Sequence, residues 1–165
     1  MSKSYARFSD VTDTPYGCFS VLSPHHIVVR HIEYPSVHHY FLCERFAGSE
    51  LESKIREAAS LWQVDRLVKE AESKGYQRDD WDQIKTDVML LGTYYKFKQN
   101  LDAQIILLQT GTKTILNHNE DDAFWGDGGD GKSGKNLLGV VLMATRKRLQ
   151  GEEKLRKKEG GRKKQ

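Results

Sequence analysis

Apolar side chains recur at helical spacing along most of the chain, and this pattern predicts a mainly α-helical fold. The clearest helix has one apolar stripe, formed by Trp81, Ile84, Val88, Leu91 and Tyr95. Five further helices are predicted, at residues 38–46, 50–59, 61–73, 102–107 and 136–148. Ser60 and Gln63 form a capping pair before the helix at 61–73, and Gly75 is suited to end it. We expect the chain to fray beyond residue 148.

Two short segments have the β-branched composition of strands. Residues 27–34 (IVVRHIEY) are predicted to form a strand that pairs with residues 17–22. Residues 114–117 are predicted to add a second short strand. The predicted fold class is therefore mainly α, a compact helical domain with a small β-hairpin or short sheet.

Length and cysteine content indicate one intracellular domain. A chain of 165 residues can bury its own core, and two cysteines are too few for a secreted disulfide framework. The polar N-terminus lacks the apolar core of a signal peptide, so we expect a cytoplasmic or nuclear protein without membrane contact. We predict an N-terminal extension at residues 1–15, the domain at 16–150 and a basic tail at 151–165.

Positive charge is concentrated near the C-terminus. Residues 146–165 contain ten Lys or Arg and three Glu, a net charge of +7, whereas the whole chain carries +3. A segment of this kind attracts nucleic acid or other anionic surfaces by releasing counterions. The alternative is a solvated extension of the last helix that has no partner.

The segment at residues 117–136 (NHNEDDAFWGDGGDGKSGKN) combines glycines, carboxylates and lysines directly before a helix. Glycines allow backbone N–H groups to approach a phosphate, and a helix N-terminus adds partial positive charge. Carboxylates beside such a site could supply acid–base chemistry for cleaving an N-glycosidic bond. Trp125 could stack on a base, although it could equally belong to the core. The alternative for the whole segment is a flexible turn without chemistry.

Two other types of site are not favoured by the sequence. Residues 126–133 fit the phosphate-loop pattern GxxxxGK[ST], but only one helix and a charged tail follow, so the parallel sheet of a nucleotide triphosphatase cannot be completed. The adjacent pairs His25/His26 and His38/His39 point in different directions on a helix or strand. We therefore predict no metal and no cofactor.

Several segments, in order, resemble the motifs of the NADAR family. They are Tyr16–Ser20 (YGCFS), Tyr34–Phe41 (YPSVHHYF), Arg78 with Trp81, Met89, Lys96–Phe97, Glu120–Gly129 (EDDAFWGDGG) and Lys135–Gly139 (KNLLG) with Leu142, Met143 and Arg146. The resemblance implies a small helical fold that hydrolyses N-glycosidic bonds to phosphorylated ribose. Family members act on riboflavin-biosynthesis intermediates or remove ADP-ribose from guanine in nucleic acid.

Together with the residue types, the resemblance predicts a set of site residues. Four are expected to be catalytic: Asp127, Glu120, Asp122 and His38. The others are expected to bind substrate: Phe19, Ser20, His39, Arg45, Trp81, Trp125, Gly126, Gly128, Gly129, Lys132 and Asn136. Within this set, Arg45 and Lys132 are expected to contact phosphate.

The chain departs from the family motif P-[ST]-x-E-H-Y-F-Q-x-x-K at three positions. His38 occupies the Glu position, Leu42 the Gln position and Arg45 the Lys position. A guanidinium cannot deprotonate near neutral pH to act as a Schiff-base nucleophile, although it can bind phosphate. His38 could replace the Glu as acid or base, or make a structural hydrogen bond. The departures leave a shifted mechanism, an altered substrate or a binding domain without catalysis.

We expect an N-glycosidase that removes ADP-ribose from guanine in nucleic acid, because the basic tail suits such a substrate. The expected ligand is ADP-ribose or a ribose phosphate, and ADP-ribosylated DNA or RNA is the expected partner. The alternatives are an enzyme for pyrimidine ribose-phosphate intermediates of riboflavin biosynthesis and a non-catalytic reader of ADP-ribose or NAD.

Overall fold

A computed structural model describes residues 4–162 of the chain. The predicted N-terminal extension and basic tail also include residues 1–3 and 163–165, which lie outside the described residues. Residue contacts divide the chain into two compact units. The first unit comprises the described residues of 1–20 and 100–165, and the second unit comprises residues 21–99.

Helices dominate the described residues, which confirms the mainly α fold. The six α-helices of these residues are α1 (Val37–Arg45), α2 (Glu52–Glu57), α3 (Leu61–Ser73), α4 (Trp81–Gln99), α5 (Leu101–Gln109) and α6 (Leu137–Arg162). The four strands are β1 (Tyr5–Phe8), β2 (Ile27–Val29), β3 (Ile32–Tyr34) and β4 (Thr114–Asn117). Helix α3 and strand β4 have the predicted bounds. Within residues 4–162 no helix is both long and apolar enough to cross a membrane.

In the first unit, β1 pairs in parallel with β4, and Ala6 lies opposite Ile115. Ala6 and Ile115 are fully buried, whereas Tyr5 and Arg7 on the opposite face of β1 are exposed. Helix α6 packs on β4 at Gly139, where a Cβ atom would overlap the Ile115 carbonyl oxygen. The sequence pattern did not predict β1, because its partner strand is distant in the chain.

In the second unit, β2 and β3 form an antiparallel hairpin. Arg30 and His31 form its two-residue turn with positive φ angles of 51° and 66°, a geometry that matches the twist of paired strands. The prediction of one continuous strand at 27–34 paired with 17–22 is therefore wrong. Residues 17–19 instead belong to a short 3-10 helix, Tyr16–Phe19, in the first unit.

Helices α1 and α4 pack closely in the second unit because Gly92 leaves room for a ring. A Cβ atom at Gly92 would lie 2.7 Å from the Tyr40 ring. The Gln99 side chain at the end of α4 accepts a hydrogen bond from the Val28 N–H and donates one to the Val28 carbonyl, at 2.8 and 2.9 Å. This amide clamp attaches β2 to the end of α4.

The predicted fraying beyond residue 148 is wrong, because α6 continues to Arg162. Two ion pairs at i, i+4 spacing, Arg148–Glu152 at 3.3 Å and Glu153–Lys157 at 2.7 Å, support the extension. Pairs at this spacing each stabilise a helix by about 0.2–0.5 kcal/mol. The basic segment is therefore helical through residue 162.

Candidate active site

The glycine-rich segment between β4 and α6 is folded by hydrogen bonds within itself. The Asp127 N–H donates to the Asn117 carbonyl, and the Gly134 N–H donates to the Asp127 carbonyl, both at 2.9 Å. The Asn136 N–H donates to the Gly126 carbonyl at 2.8 Å. The segment is thus a closed loop with defined geometry, which we call the glycine loop (residues 117–136).

Glycines in this loop occupy positions where a side chain would collide or strain the backbone. A Cβ atom at the buried Gly126 would lie 2.5 Å from the Asp122 carbonyl oxygen. Gly128 and Gly129 have φ angles of 72° and 86°, in the left-handed region that favours glycine. A Cβ atom at Gly129 would lie 2.6 Å from Cγ of Glu120. These close approaches allow the loop to wrap around one carboxylate.

That carboxylate is Asp127, which is 1% exposed. Its Oδ1 accepts the N–H groups of Asn119 and Gly129 at 3.2 and 2.9 Å. Its Oδ2 lies 3.1 Å from Nδ1 of His118. Burial alone would raise the pKa of Asp127, but the hydrogen bonds from His118, Gly129 and Asn119 outweigh it and hold that pKa below its ordinary value of 3.8.

The Asp127 interaction orients the His118 ring. An ionised carboxylate can only accept hydrogen bonds, so Nδ1 of His118 carries the proton in this contact. In the neutral ring, Nε2 then has the lone pair that could accept a proton. Asp127 lies in the core of the loop while the His118 side chain is 24% exposed, so the pair reaches from the interior to the surface.

His118 is not among the site residues predicted from the sequence. It lies nine positions from Asp127 in the chain, with neither helical nor strand spacing to connect them. The only local signal was a histidine directly after strand β4, beside acidic residues. The loop closure that joins His118 to Asp127 depends on tertiary hydrogen bonds.

The other two predicted carboxylates of the glycine loop have different surroundings. Oδ1 of Asp122 accepts the N–H groups of Phe124 and Trp125, both at 2.8 Å, so this carboxylate shapes the turn that carries Trp125. Glu120 is exposed and packs against Gly129. The structure thus places Glu120, Asp122 and Asp127 in one loop, with Asp127 alone of the three buried.

Most N–H groups at the end of the glycine loop already have protein acceptors. The Leu137 and Leu138 N–H groups, in the first turn of α6, donate to the carbonyls of Phe124 and Trp125 at 3.1 Å. The Lys132 and Ser133 N–H groups donate to Oδ1 of Asp130 at 2.7 Å. A phosphate bound at this loop would therefore depend on side chains more than on the helix N-terminus.

Two predicted substrate-binding residues of the loop have partners within the first unit. The Asn136 side chain accepts the Asn117 N–H and donates to the Ile115 carbonyl, both at 2.9 Å, and so joins α6 to β4. Trp125 is half-buried and packs edge-on against Phe124 at a centroid distance of 4.9 Å. The Trp125 ring therefore combines a fixed orientation with partial access from solvent.

The remaining predicted residues of the first unit lie in or beside the short 3-10 helix. Phe19 is 1% exposed and packs against Phe8 and Tyr16 at centroid distances of 5.7 and 5.3 Å. Ser20 caps this turn through its N–H, which donates to the Gly17 carbonyl at 3.1 Å. Phe19 thus belongs to the core of this unit.

Four predicted site residues belong to the second unit, and two of them are the histidines of α1. Burial lowers the pKa of His38 to about 4, an effect that the neighbouring His39 adds to and Asp65 opposes. His39 contacts the Ser36 hydroxyl through Nδ1 at 2.8 Å and the Ala58 carbonyl through Nε2 at 3.1 Å. His38 is therefore neutral near pH 7, and both ring nitrogens of His39 have protein partners.

The other two predicted site residues of the second unit are Arg45 and Trp81. The Arg45 guanidinium donates to Oε1 of Gln77 at 2.7 Å and pairs with Glu72 at 2.9 Å, so a phosphate there would compete with both. Trp81 is 5% exposed and packs against Phe41 at a centroid distance of 4.8 Å. Substrate contacts by these two residues stay predictions.

Within residues 4–162, no group of three His, Cys, Asp or Glu side chains is arranged to hold a metal ion.

Comparison with known proteins gives consistent matches over most of the chain. The N-glycosidase YbiA of Shigella flexneri is 34% identical over 138 residues, which cover 84% of each protein. A riboflavin biosynthesis protein of Vibrio vulnificus is 38% identical over 138 residues, but the chain spans only 37% of that protein. The NMR structure of Escherichia coli YbiA superposes with a TM-score of 0.80, at 31% identity and covering 93% of this chain and 89% of that one.

The family model described as the NADAR domain matches residues 7–150, which include the end of β1, the glycine loop and the first half of α6. This match covers well over half of the chain, and it agrees with the motifs that the sequence resembles. The chain belongs to the NADAR family.

Proposed function

We propose that the protein is an N-glycosidase that hydrolyses the bond between a base nitrogen and C1′ of a phosphorylated ribose. The relatives named N-glycosidase, which match over most of their length, support this assignment. The observation that carries it is the buried carboxylate of Asp127 in contact with His118, within the glycine loop.

In the proposed reaction, the C1′–N bond breaks and a water oxygen bonds to C1′. The water loses a proton and the leaving base nitrogen gains one. Positive charge develops on the sugar as the bond breaks, and a nearby negative charge stabilises it. Asp127 is held ionised, so we assign it to charge stabilisation and to orienting His118. His118 accepts the proton from water at Nε2.

The remaining groups of the loop suit substrate binding. We assign Trp125 to stacking on the leaving base, because its half-buried ring packs against Phe124 and its backbone N–H donates to Asp122. Glu120 is assigned to the ribose hydroxyls and Lys132 to a phosphate, since both side chains are exposed on the loop. Arg45 cannot act as an amine nucleophile, so we assign the nucleophilic role to water.

We further propose that the substrate is ADP-ribosylated guanine in nucleic acid. Residues 146–162 of α6 carry eight Lys or Arg and three Glu, so a positively charged helical surface continues from the domain. Neutralising phosphates along a strand gives sequence-independent affinity. Binding of a free pyrimidine ribose phosphate would not require such an extension.

The test compares turnover of two substrates. ADP-ribosyl-guanosine and a pyrimidine ribose phosphate are incubated with the protein, and base release is followed by chromatography. We expect faster release of guanine, and Asp127→Asn or His118→Gln should slow it by about 10²–10⁴-fold. Asp121→Asn is the matched control, because it removes an exposed carboxylate from the same loop. Equal rates for Asp127→Asn and Asp121→Asn would refute the assigned roles.

A second candidate is a reader that binds ADP-ribose without hydrolysing it. Two positions of the family motif favour this alternative. Arg45, at the Lys position, is paired with Glu72 and Gln77, and His38, at the Glu position, is neutral, so neither offers the amine or the carboxylate of the family motif. Calorimetric binding of ADP-ribose with no base released from either substrate would select the reader and exclude the enzyme.

A further inference from the structure

The outer face of the β1–β4 sheet forms a groove with the tip of the glycine loop. The groove has a volume of about 330 Å³ and lies within the first unit. It is lined by Tyr5, Arg7, Leu116, Asp130, Gly131 and Lys132. Ligand pockets commonly range from about 300 to 1,000 Å³, so this volume corresponds to a small ligand or to one unit of a longer one.

Two cations face this groove from different elements. Arg7 projects from β1 and Lys132 from the glycine loop, and both are exposed. Among residues 4–162, neither side chain has a carboxylate within ion-pair distance. An arginine fork and a lysine ammonium on opposite sides of a groove can share one phosphate group.

Asp130, the acidic residue of the groove, is hydrogen-bonded to its own loop. Oδ1 of Asp130 accepts the N–H groups of Ser133 and Lys132, and these hydrogen bonds lower the pKa of Asp130. This carboxylate therefore serves to fold the tip of the loop and to place Lys132. With Arg7 and Lys132 the groove retains a net positive charge.

An aromatic ring lies beside the cations. Tyr5 is 49% exposed and lies two residues before Arg7, so both side chains project from the same face of β1. Residues spaced by two along a strand are about 6.6 Å apart, which allows one to contact a base while the other contacts its phosphate. Leu116, opposite Arg7 in the sheet register, supplies an apolar floor.

We propose that this groove binds one nucleotide unit, with its phosphate between Arg7 and Lys132 and its base on the Tyr5 ring. The site extends beyond the proposed hydrolysis, because none of its contacts involves the reacting bond. It adjoins the candidate active site, since a Cβ atom at Gly131 would lie 3.8 Å from Oδ2 of Asp127. The nucleotide is then a neighbour of the modified base in a strand, or the adenylate half of ADP-ribose.

Binding measurements on the full chain test the groove. One probe is a short fluorescein-labelled oligothymidylate, followed by fluorescence polarisation at several salt concentrations, and the other is AMP, followed by calorimetry. The variant Arg7→Gln/Lys132→Gln should weaken binding by at least about tenfold. Because the two side chains share one phosphate, it should reduce the salt slope for the strand by about 0.7. Tyr5→Ala should weaken it by about 5- to 150-fold.

The matched control is Arg66→Gln/Lys69→Gln, which removes the same charge from the exposed face of α3. Thermal melts check that each variant is folded, and all the substituted side chains are exposed. If the groove variant mainly loses binding of the oligothymidylate, the nucleotide belongs to a nucleic acid. If it mainly loses binding of AMP, the groove takes a free nucleotide.

The proposal is overturned if the wild type binds neither probe, or if the groove variant and the control bind both probes equally. Base release without nucleotide binding would refute the groove alone. Nucleotide binding without base release would refute the proposed hydrolysis alone.

Discussion

Replacing Gly139 by alanine is expected to destabilise the first unit, although alanine is the better helix former. Gly139 lies in the first turn of α6, directly against β4. A Cβ atom there would overlap the Ile115 carbonyl oxygen and the Asn136 side-chain amide. The Ile115 carbonyl is backbone of a strand and cannot rotate away, so the helix and the strand must separate.

The expected magnitude follows from the hydrogen bonds that the separation breaks. The Asn136 side chain joins Asn117 and Ile115 through two hydrogen bonds of 2.9 Å, and both of these strand residues are buried. A buried donor or acceptor left without a partner costs about 1–3 kcal/mol. The helix propensity of alanine offsets about 1 kcal/mol of this loss. Two such groups cost about 2–6 kcal/mol, so after this offset we expect Gly139→Ala to reduce the free energy of unfolding by about 1–5 kcal/mol.

Gly151→Ala in the same helix is the matched control. No atom lies within 4 Å of a Cβ built at Gly151, so alanine there should raise the free energy of unfolding by about 0.5–1 kcal/mol. Urea unfolding followed by circular dichroism measures both variants, and Gly139→Ala should lower the urea midpoint by about 1 M. Hydrogen exchange of the β4 amides gives a local measurement, in which Gly139→Ala should lose protection.

The two variants are expected to have effects of opposite sign. If Gly139→Ala were as stable as Gly151→Ala, with β4 protection unchanged, helix propensity would dominate at Gly139. The inference that α6 and β4 are in close contact at Gly139 would then be wrong.

Two further predictions concern the pH dependence of stability. Burial and His39 lower the pKa of His38 to about 4, from 6.5 in the unfolded chain. Between these pH values only the unfolded chain binds the proton, so the free energy of unfolding should fall by on the order of 3 kcal/mol from pH 6.5 to 4. His38→Gln should reduce the change of the urea midpoint across this pH range. An unchanged pH dependence would contradict a neutral, half-buried His38 ring. The pKa of Asp127 lies below 3.8, so its contribution to stability is present above that pH and is lost as the pH falls further. Asp127→Asn should be less stable than wild type at pH 7, with a difference that narrows below pH 3.8; a constant difference would exclude an ionised Asp127.

Local sequence patterns were sufficient for most helices because helical periodicity and caps are short-range. Helix α3 starts directly after Ser60, because the Ser60 hydroxyl accepts the Gln63 N–H at 3.2 Å and caps the helix. The helix ends at Ser73, as predicted. The apolar stripe starting at Trp81 likewise coincides with α4. The motifs that resemble the NADAR family were also readable, because a family signature is a property of residue order.

Pairing between distant segments was not readable from local patterns. Strand β1 has only four residues, and its identity depends on the parallel register with β4. The turn at Arg30 and His31 placed two non-glycine residues at positive φ, where a sequence pattern favours glycine or asparagine. A continuous strand was therefore predicted where the structure has a hairpin.

The sequence by itself determined the helical architecture, the family and the loop that contains Asp127. Tertiary structure alone decided what each polar group of that loop does. It joined His118 to Asp127, directed the first N–H groups of α6 to loop carbonyls, and placed Arg7 and Lys132 on one groove. The physical reason is that a hydrogen bond or a shared groove depends on distances of a few ångströms in space, and residue order specifies those distances only within one helix, strand or turn.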